Sequence, residues 1–192
     1  MITASGVMWH ALVPTKFKSL DLCFHPQVVD QFVYYCYLAD YQFDQDNEAP
    51  EIHFATSFPP DKDINSFSYR KSAVDFHLEM YELAEHVESE FLKETVHQKL
   101  SVVILARQKY TALELGMLVE IFFAAVDAAR LQDDDRRIEN IFVTAVLINE
   151  RVRWNRDDSK VFWNMIGGYR REFVEAYREA EKANRDLLGS RR

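Results

Sequence analysis

Apolar residues recur at steps of three and four along residues 73–91, at Ala73, Phe76, Met80, Leu83, Val87 and Phe91, and Glu79, Glu82, Glu85, His86 and Glu88 fall between them. That spacing gathers the apolar set on one side of a helix and predicts an amphipathic helix laid on a core. The pattern extends toward residue 108. Val102, Val103, Ile104 and Leu105 form an unbroken apolar run that a buried strand would also accept, and the helical reading is preferred there.

Thr111 and Glu114 have the S/T-x-x-E spacing of a capping box, in which each side chain satisfies an orphan backbone N–H at a helix start. A helix over residues 112–131 follows. Its Leu115, Leu118, Phe122, Ala125, Val126 and Ala129 form a face, but Met117, Val119, Ile121 and Phe123 make it apolar nearly all round, as suits the centre of a bundle. Asp133, Asp134 and Asp135 then offer N-cap oxygens to a helix whose expected buried stripe is Ile138, Ile141, Phe142, Ala145, Ile148 and Val152 and whose end falls near Trp154. Asp158 or Ser159 can cap a last segment carrying Phe162, Met165, Ile166, Tyr169, Phe173, Ala176, Tyr177, Ala180 and Leu187. Gly167 and Gly168 interrupt it and predict a kink or break, since each glycine costs roughly 1 kcal/mol relative to alanine inside a helix.

The first 66 residues are more punctuated, because Pro14, Pro26, Pro50, Pro59 and Pro60 all lie there. Pro26 suits the first turn of a helix over residues 28–41 with Val29, Phe32, Val33, Cys36 and Leu38 as its apolar members. Residues 7–13 and 51–58 are candidates for short strands. The predicted fold is therefore mainly α: a single-domain bundle of five or six helices over residues 1–192. Residues 67–192 form its helical core and residues 1–66 an irregular, acidic third with room for one short β-hairpin.

Composition agrees with a folded chain. Of 192 residues 48% are hydrophobic and only ten are Gly or Pro, which excludes low-complexity disorder. Cys23 and Cys36 form no C-x-x-C pair and suggest reduced thiols, the first residues lack a basic leader, and no apolar run is long enough to span a bilayer. A cytoplasmic address without membrane association is the expectation.

The net charge is −8 and is unevenly placed, with −6 carried by residues 1–66. It disfavours nucleic acid as a partner, because phosphate binding draws on Lys and Arg. Within residues 40–63, Asp40, Asp44, Asp46, Glu48, Glu51, Asp61 and Asp63 stand against Lys62 alone. Tyr41, Phe43, Phe54 and Phe58 are interleaved with them. Charge beside aromatic anchors is what an interface with a basic protein needs, and Phe43, Asp44, Asp46, Glu48 and Glu51 are its candidate contacts. A solvated loop with inward-turned aromatics has the same composition.

Other constellations are sparser. Glu79, Glu82, His86 and Glu90 share a helix face, and Glu79, Glu82 and His86 are the candidate metal ligands, although the Glu-x-x-x-His spacing differs from the Glu-x-x-His of di-iron bundles and no second half-site is present. Glu120 stands alone among apolar residues, where a buried carboxyl would have a raised pKa suited to proton transfer; Gly116, Glu120, Ala124 and Asp127 also fit a narrow exposed edge. Arg151, Arg153, Trp154 and Arg156 are the densest cation–aromatic cluster and could hold a phosphate or another ligand, or simply complement a helix C-terminus.

Arg70 and His77 are separated by six residues near the start of a predicted helix. The pair resembles the Arg-x(4–6)-His motif of HEPN-type helical ribonucleases, in which an arginine and a histidine act on an RNA phosphate. That resemblance covers two residues, and Lys71 stands where the family often has a small polar residue. It implies catalytic roles for Arg70 and His77 without a metal. Gly-rich phosphate loops and the G-x-S-x-G, H-E-x-x-H and EF-hand patterns are absent from the sequence. No cofactor is expected. The leading expectation is a non-catalytic interaction or regulatory protein of inhibitor, immunity or adaptor type, bound through residues 40–63 to a basic protein and compatible with homo-oligomerisation. A HEPN-like ribonuclease and a small-ligand or metal-binding bundle are the alternatives.

Overall fold

The computed structural model describes residues 24–43, 66–105, 109–128, 131, 136–167 and 170–189, with side chains to residue 185. It is mainly helical, and among the described residues there is no strand. The strand candidates at residues 7–13 and 51–58 lie outside them. The chain divides into two compact units, Met1–Gln42 and Phe43–Arg192.

In the first unit, α1 spans Pro26–Leu38. His25 is its N-cap and accepts the Gln27 N–H through Nδ1 at 3.3 Å, and Pro26 sits in the first turn, where its missing N–H costs nothing. The helix stops three residues earlier than its pattern predicted, because Ala39 turns left-handed at φ 54°. Gln31 then accepts the Gln42 N–H at 2.8 Å and ties the departing chain to the helix. Val28, Gln31 and Phe32 are its buried residues, whereas Val33 and Leu38, expected inside, are exposed.

The second unit carries α2 (Phe67–His86), α3 (Glu90–Leu105), α4 (Ala112–Asp127), α5 (Arg137–Val152), α6 (Arg156–Ile166) and α7 (Arg171–Gly189). α2 packs on α3 and α4, α3 on α5, α4 on α6, and α5 on α7. The seven described helices exceed the expected five or six because two predicted stretches are each divided. The first divides at Glu88, which adopts φ 57°, and the second around Gly167, as its glycines predicted. The Glu88 break also resets the helical phase. Ala73, Phe76, Met80 and Leu83 are buried as expected, but Phe91 is 85% exposed and the inward track of α3 is Leu92, Val96, Leu100 and Ile104.

At α4 the capping box forms as read: Thr111 Oγ1 accepts the Glu114 N–H at 3.2 Å and Glu114 Oε2 accepts the Thr111 N–H at 2.8 Å. Leu115, Leu118, Val119, Phe122 and Phe123 are buried, whereas Met117 and Ile121 of the same helix are half-exposed. Gly116 is not on an exposed edge. It is buried, and a Cβ there would lie 2.6 Å from Met165 Sδ, so the missing side chain leaves room for the Met165 thioether of α6.

α5 starts differently from its prediction. Arg136, left-handed at φ 54°, occupies the N-cap position without a side-chain cap bond, and residues 133–135 lie outside the described residues. Its buried track is Ile138, Ile141, Phe142, Ala145 and Asn149, whereas Ile148 and Val152 are 39% and 72% exposed. For α6 the cap is Asn155 rather than Asp158 or Ser159: Asn155 Oδ1 accepts the Asp157 and Asp158 N–H groups at 2.7 and 3.0 Å, and Asp158 completes a capping box. Among the described residues no helix is long and apolar enough to cross a membrane.

Candidate functional site

The Arg70 and His77 pair sits on α2, two turns apart on one face, which separates the residues by about 10 Å along the axis. Both side chains are enclosed. Arg70 is 8% exposed and its guanidinium lies over the Tyr110 ring, 5.0 Å from the centroid. His77 is 4% exposed, with the rings of Phe76 and Phe43 at 5.6 and 6.3 Å. Burial, reinforced by the positive charge of Lys99, lowers its pKa to about 3, so the imidazole is neutral near pH 7. A neutral imidazole can take a proton from a hydroxyl, but here the rings of Phe76, on its own helix, and of Phe43, from the segment that precedes it, lie against it.

Phe43 is part of that surround. Its ring lies 5.5 Å from Tyr69 and 5.1 Å from Phe76, so this expected contact of the acidic stretch is turned onto α2. Ser66 caps the same helix, accepting the Tyr69 N–H at 3.2 Å. The residues on either side of the stretch 44–65 are therefore both held on the first turns of α2. Asp44, Asp46, Glu48 and Glu51 lie outside the described residues.

The turn between α5 and α6 gathers Arg151, Arg153, Trp154 and Arg156. The Arg153 and Trp154 N–H groups both donate to the Asn149 carbonyl, at 2.9 and 2.8 Å. The Trp154 indole N–H donates to the Tyr110 carbonyl at 2.9 Å, and its ring packs on Phe162 at 5.2 Å. Fully buried Asn149 accepts the Tyr110 N–H at 3.3 Å and donates to the Ala145 carbonyl at 2.8 Å. Tyr110, the link to Arg70, thus also fixes this turn. Trp154 is half-buried, with its N–H on Tyr110 and its ring against Phe162, while Arg151, Arg153 and Arg156 are exposed.

Glu120 is half-exposed and pairs with Arg170 at 3.6 Å. Arg170 also meets Asp127 at 2.7 Å and lies over the Phe123 ring at 4.6 Å, so one guanidinium joins the start of α7 to α4. Along α2, Glu79 and Glu82 are half-exposed and His86 is exposed. Among the described residues no group of three or more His, Cys, Asp or Glu side chains is placed to hold a metal ion.

A further cluster escaped sequence reasoning. Glu150 accepts the Trp163 indole N–H at 3.2 Å and a hydrogen bond from the Tyr177 hydroxyl, and the two rings meet edge to face at 4.7 Å. Burial, followed by the Glu150 hydrogen bond and charge, pushes the Tyr177 pKa far up. The three residues sit on α5, α6 and α7, 13 and 27 positions apart, and no local pattern announces them. Chemically the cluster is a carboxylate held by two donors, a stitch between helices. Comparison with known proteins finds no matching family model, no matching curated protein and no matching solved structure.

Proposed function

We propose that the protein is a non-catalytic interaction or regulatory protein that engages a basic surface of another protein through the acidic stretch of residues 40–63. The observation that carries this reading is the concentration of charge: seven carboxylates against one lysine in that stretch, a net −6 of the chain's −8. The anchoring of Phe43 and Ser66 on α2 supports it, because a stretch held at both edges by a packed helix loses less entropy on binding than a free tail. With Tyr41 buried and Phe43 packed on α2, the aromatics left to serve as anchors are Phe54 and Phe58. The surroundings of the other candidate residues favour the same reading: Arg70, His77, Trp154 and Glu120 each have neighbours that account for their positions without a substrate.

The test is a pull-down that compares the wild type with a variant in which Asp44 and Asp46 become Asn and Glu48 and Glu51 become Gln. Loss of a basic protein from the variant's captured set supports the reading, and an unchanged, salt-insensitive set contradicts it. One observation keeps a second reading in play, the shared face of Arg70 and His77 on α2. If the protein were a HEPN-like ribonuclease, purified protein would cleave RNA without added metal and His77→Ala would abolish the cleavage.

A further inference from the structure

The α5–α6 turn is a preorganised display of positive charge. Arg151, Arg153 and Arg156 stand on both sides of Trp154 within six consecutive residues, and all three side chains are exposed. Lys109, next to the Tyr110 that anchors the Trp154 indole, is exposed as well. The carboxylates of the same turn are engaged elsewhere. Asp158 accepts the Asn155 N–H in the capping box, Asp157 pairs with Lys160 at 2.9 Å, and Glu150 is held by Trp163 and Tyr177. Among the described residues none of the three arginines is held in an ion pair. Its backbone is fixed by the two N–H groups donating to Asn149 and by the Trp154 bond to Tyr110, so little ordering remains for a ligand to impose.

Aliphatic side chains lie beside this charge. Ile148 and Val152 are one helical turn apart on the same exposed face of α5 as Arg151, and the buried track passes instead through Asn149. We propose that this surface, Arg151, Val152, Arg153 and Arg156 with Ile148 and Lys109, binds an acidic polypeptide segment of another protein in which carboxylates are interspersed with apolar side chains. Guanidinium groups form paired hydrogen bonds with carboxylates, and the aliphatic stripe receives the segment's apolar residues. Single-stranded nucleic acid is the less favoured occupant. Its bases need an open aromatic face, and the one indole of this turn is packed on Phe162 with its N–H on Tyr110. The aliphatic side chains of Ile148 and Val152 match the branched apolar side chains of a polypeptide better than they match stacked bases. This proposal is separate from the reading of residues 40–63: it concerns a different surface and a partner of opposite charge.

The experiment is fluorescence anisotropy with the full chain and a labelled peptide in which Asp and Glu alternate with Leu and Phe. A glutamine-substituted peptide and a labelled single-stranded oligonucleotide serve as the comparison probes. The receptors are the wild type and the variant with Asn or Gln at 44, 46, 48 and 51, which removes competition from the chain's own acidic stretch. Expected is saturable binding of the acidic peptide to at least one receptor, weakened by salt and reduced at least about tenfold in R151Q/R153Q/R156Q. Val152→Ser should weaken it by about threefold with an unchanged urea midpoint. Binding to neither receptor, equal affinity in the triple variant, or preference for the oligonucleotide overturns the proposal. So does self-association of the free protein that the triple variant abolishes, which would make the occupant a second copy.

Discussion

Replacing His77 by glutamine removes an imidazole that the fold keeps neutral, and the consequence is a defined change in acid stability. An unfolded chain binds a proton at this side chain with a pKa of about 6.5, whereas in the folded protein burial and Lys99 lower it to about 3. Between those values the unfolded state holds a proton that the folded state does not, so the stability due to neutral His77 is present above the unfolded pKa and lost as pH falls through the window. The slope approaches 1.4 kcal/mol per pH unit, which gives about 2 to 3 kcal/mol between roughly pH 7 and 4.5. That is a large share of the 5–15 kcal/mol typical of a whole domain. Urea unfolding of wild type and His77→Gln, followed by tryptophan fluorescence at each pH, isolates the term, because carboxylate contributions cancel in the difference. The wild-type advantage should shrink by that amount over the window. A pH-independent difference would refute the enclosure of His77 by Phe43 and Phe76.

Four other outcomes follow from packing. Trp154→Phe, which strips the donor from the part-buried Tyr110 carbonyl and shrinks a ring on Phe162, should lower stability by about 1–3 kcal/mol in urea unfolding. Phe91→Ser should change it by less than about 0.5 kcal/mol despite the size of the residue lost, since Phe91 is 85% exposed. Tyr177 should ionise above the ordinary tyrosine range in an absorbance titration, and its contribution to stability, present below about pH 10, should fall as pH rises above that; Tyr177→Phe removes the effect. Gly116→Ala should be nearly neutral, because the flexible end of Met165 can retreat and alanine adds about 1 kcal/mol of helix propensity, whereas the branched Gly116→Ile should cost about 1–3 kcal/mol.

What the sequence disclosed was local. The Thr111–Glu114 box acts over three residues and formed as read, and Gly167 marked the break between α6 and α7. The break at Glu88 carries no glycine to announce it, so the apolar period runs straight through it and predicts a buried Phe91. In α5 hydropathy points to Ile148 as the buried position, whereas the structure buries neighbouring Asn149, whose side chain satisfies Tyr110 and Ala145. A buried asparagine with the right partners cannot be told from an exposed one by hydropathy. The Trp154–Tyr110, Arg170–Glu120 and Glu150–Tyr177 contacts join residues 44, 50 and 27 positions apart and depend on how the helices pack. For the candidate sites, residue identity was legible and solvent access was not. The arginines of the α5–α6 turn are exposed and Trp154 is committed, a distinction that neighbouring positions in a sequence do not carry.

The acidic stretch is the centre of the functional account, and its direct test is the salt dependence of partner capture. Wild type and the variant neutralised at Asp44, Asp46, Glu48 and Glu51 would be used as baits across a series of ionic strengths, with captured proteins quantified. The account predicts a basic protein that the wild type retains at low salt, releases as salt rises, and that the neutralised variant fails to retain at any ionic strength. Capture that is equal for both baits and unaffected by salt would contradict it.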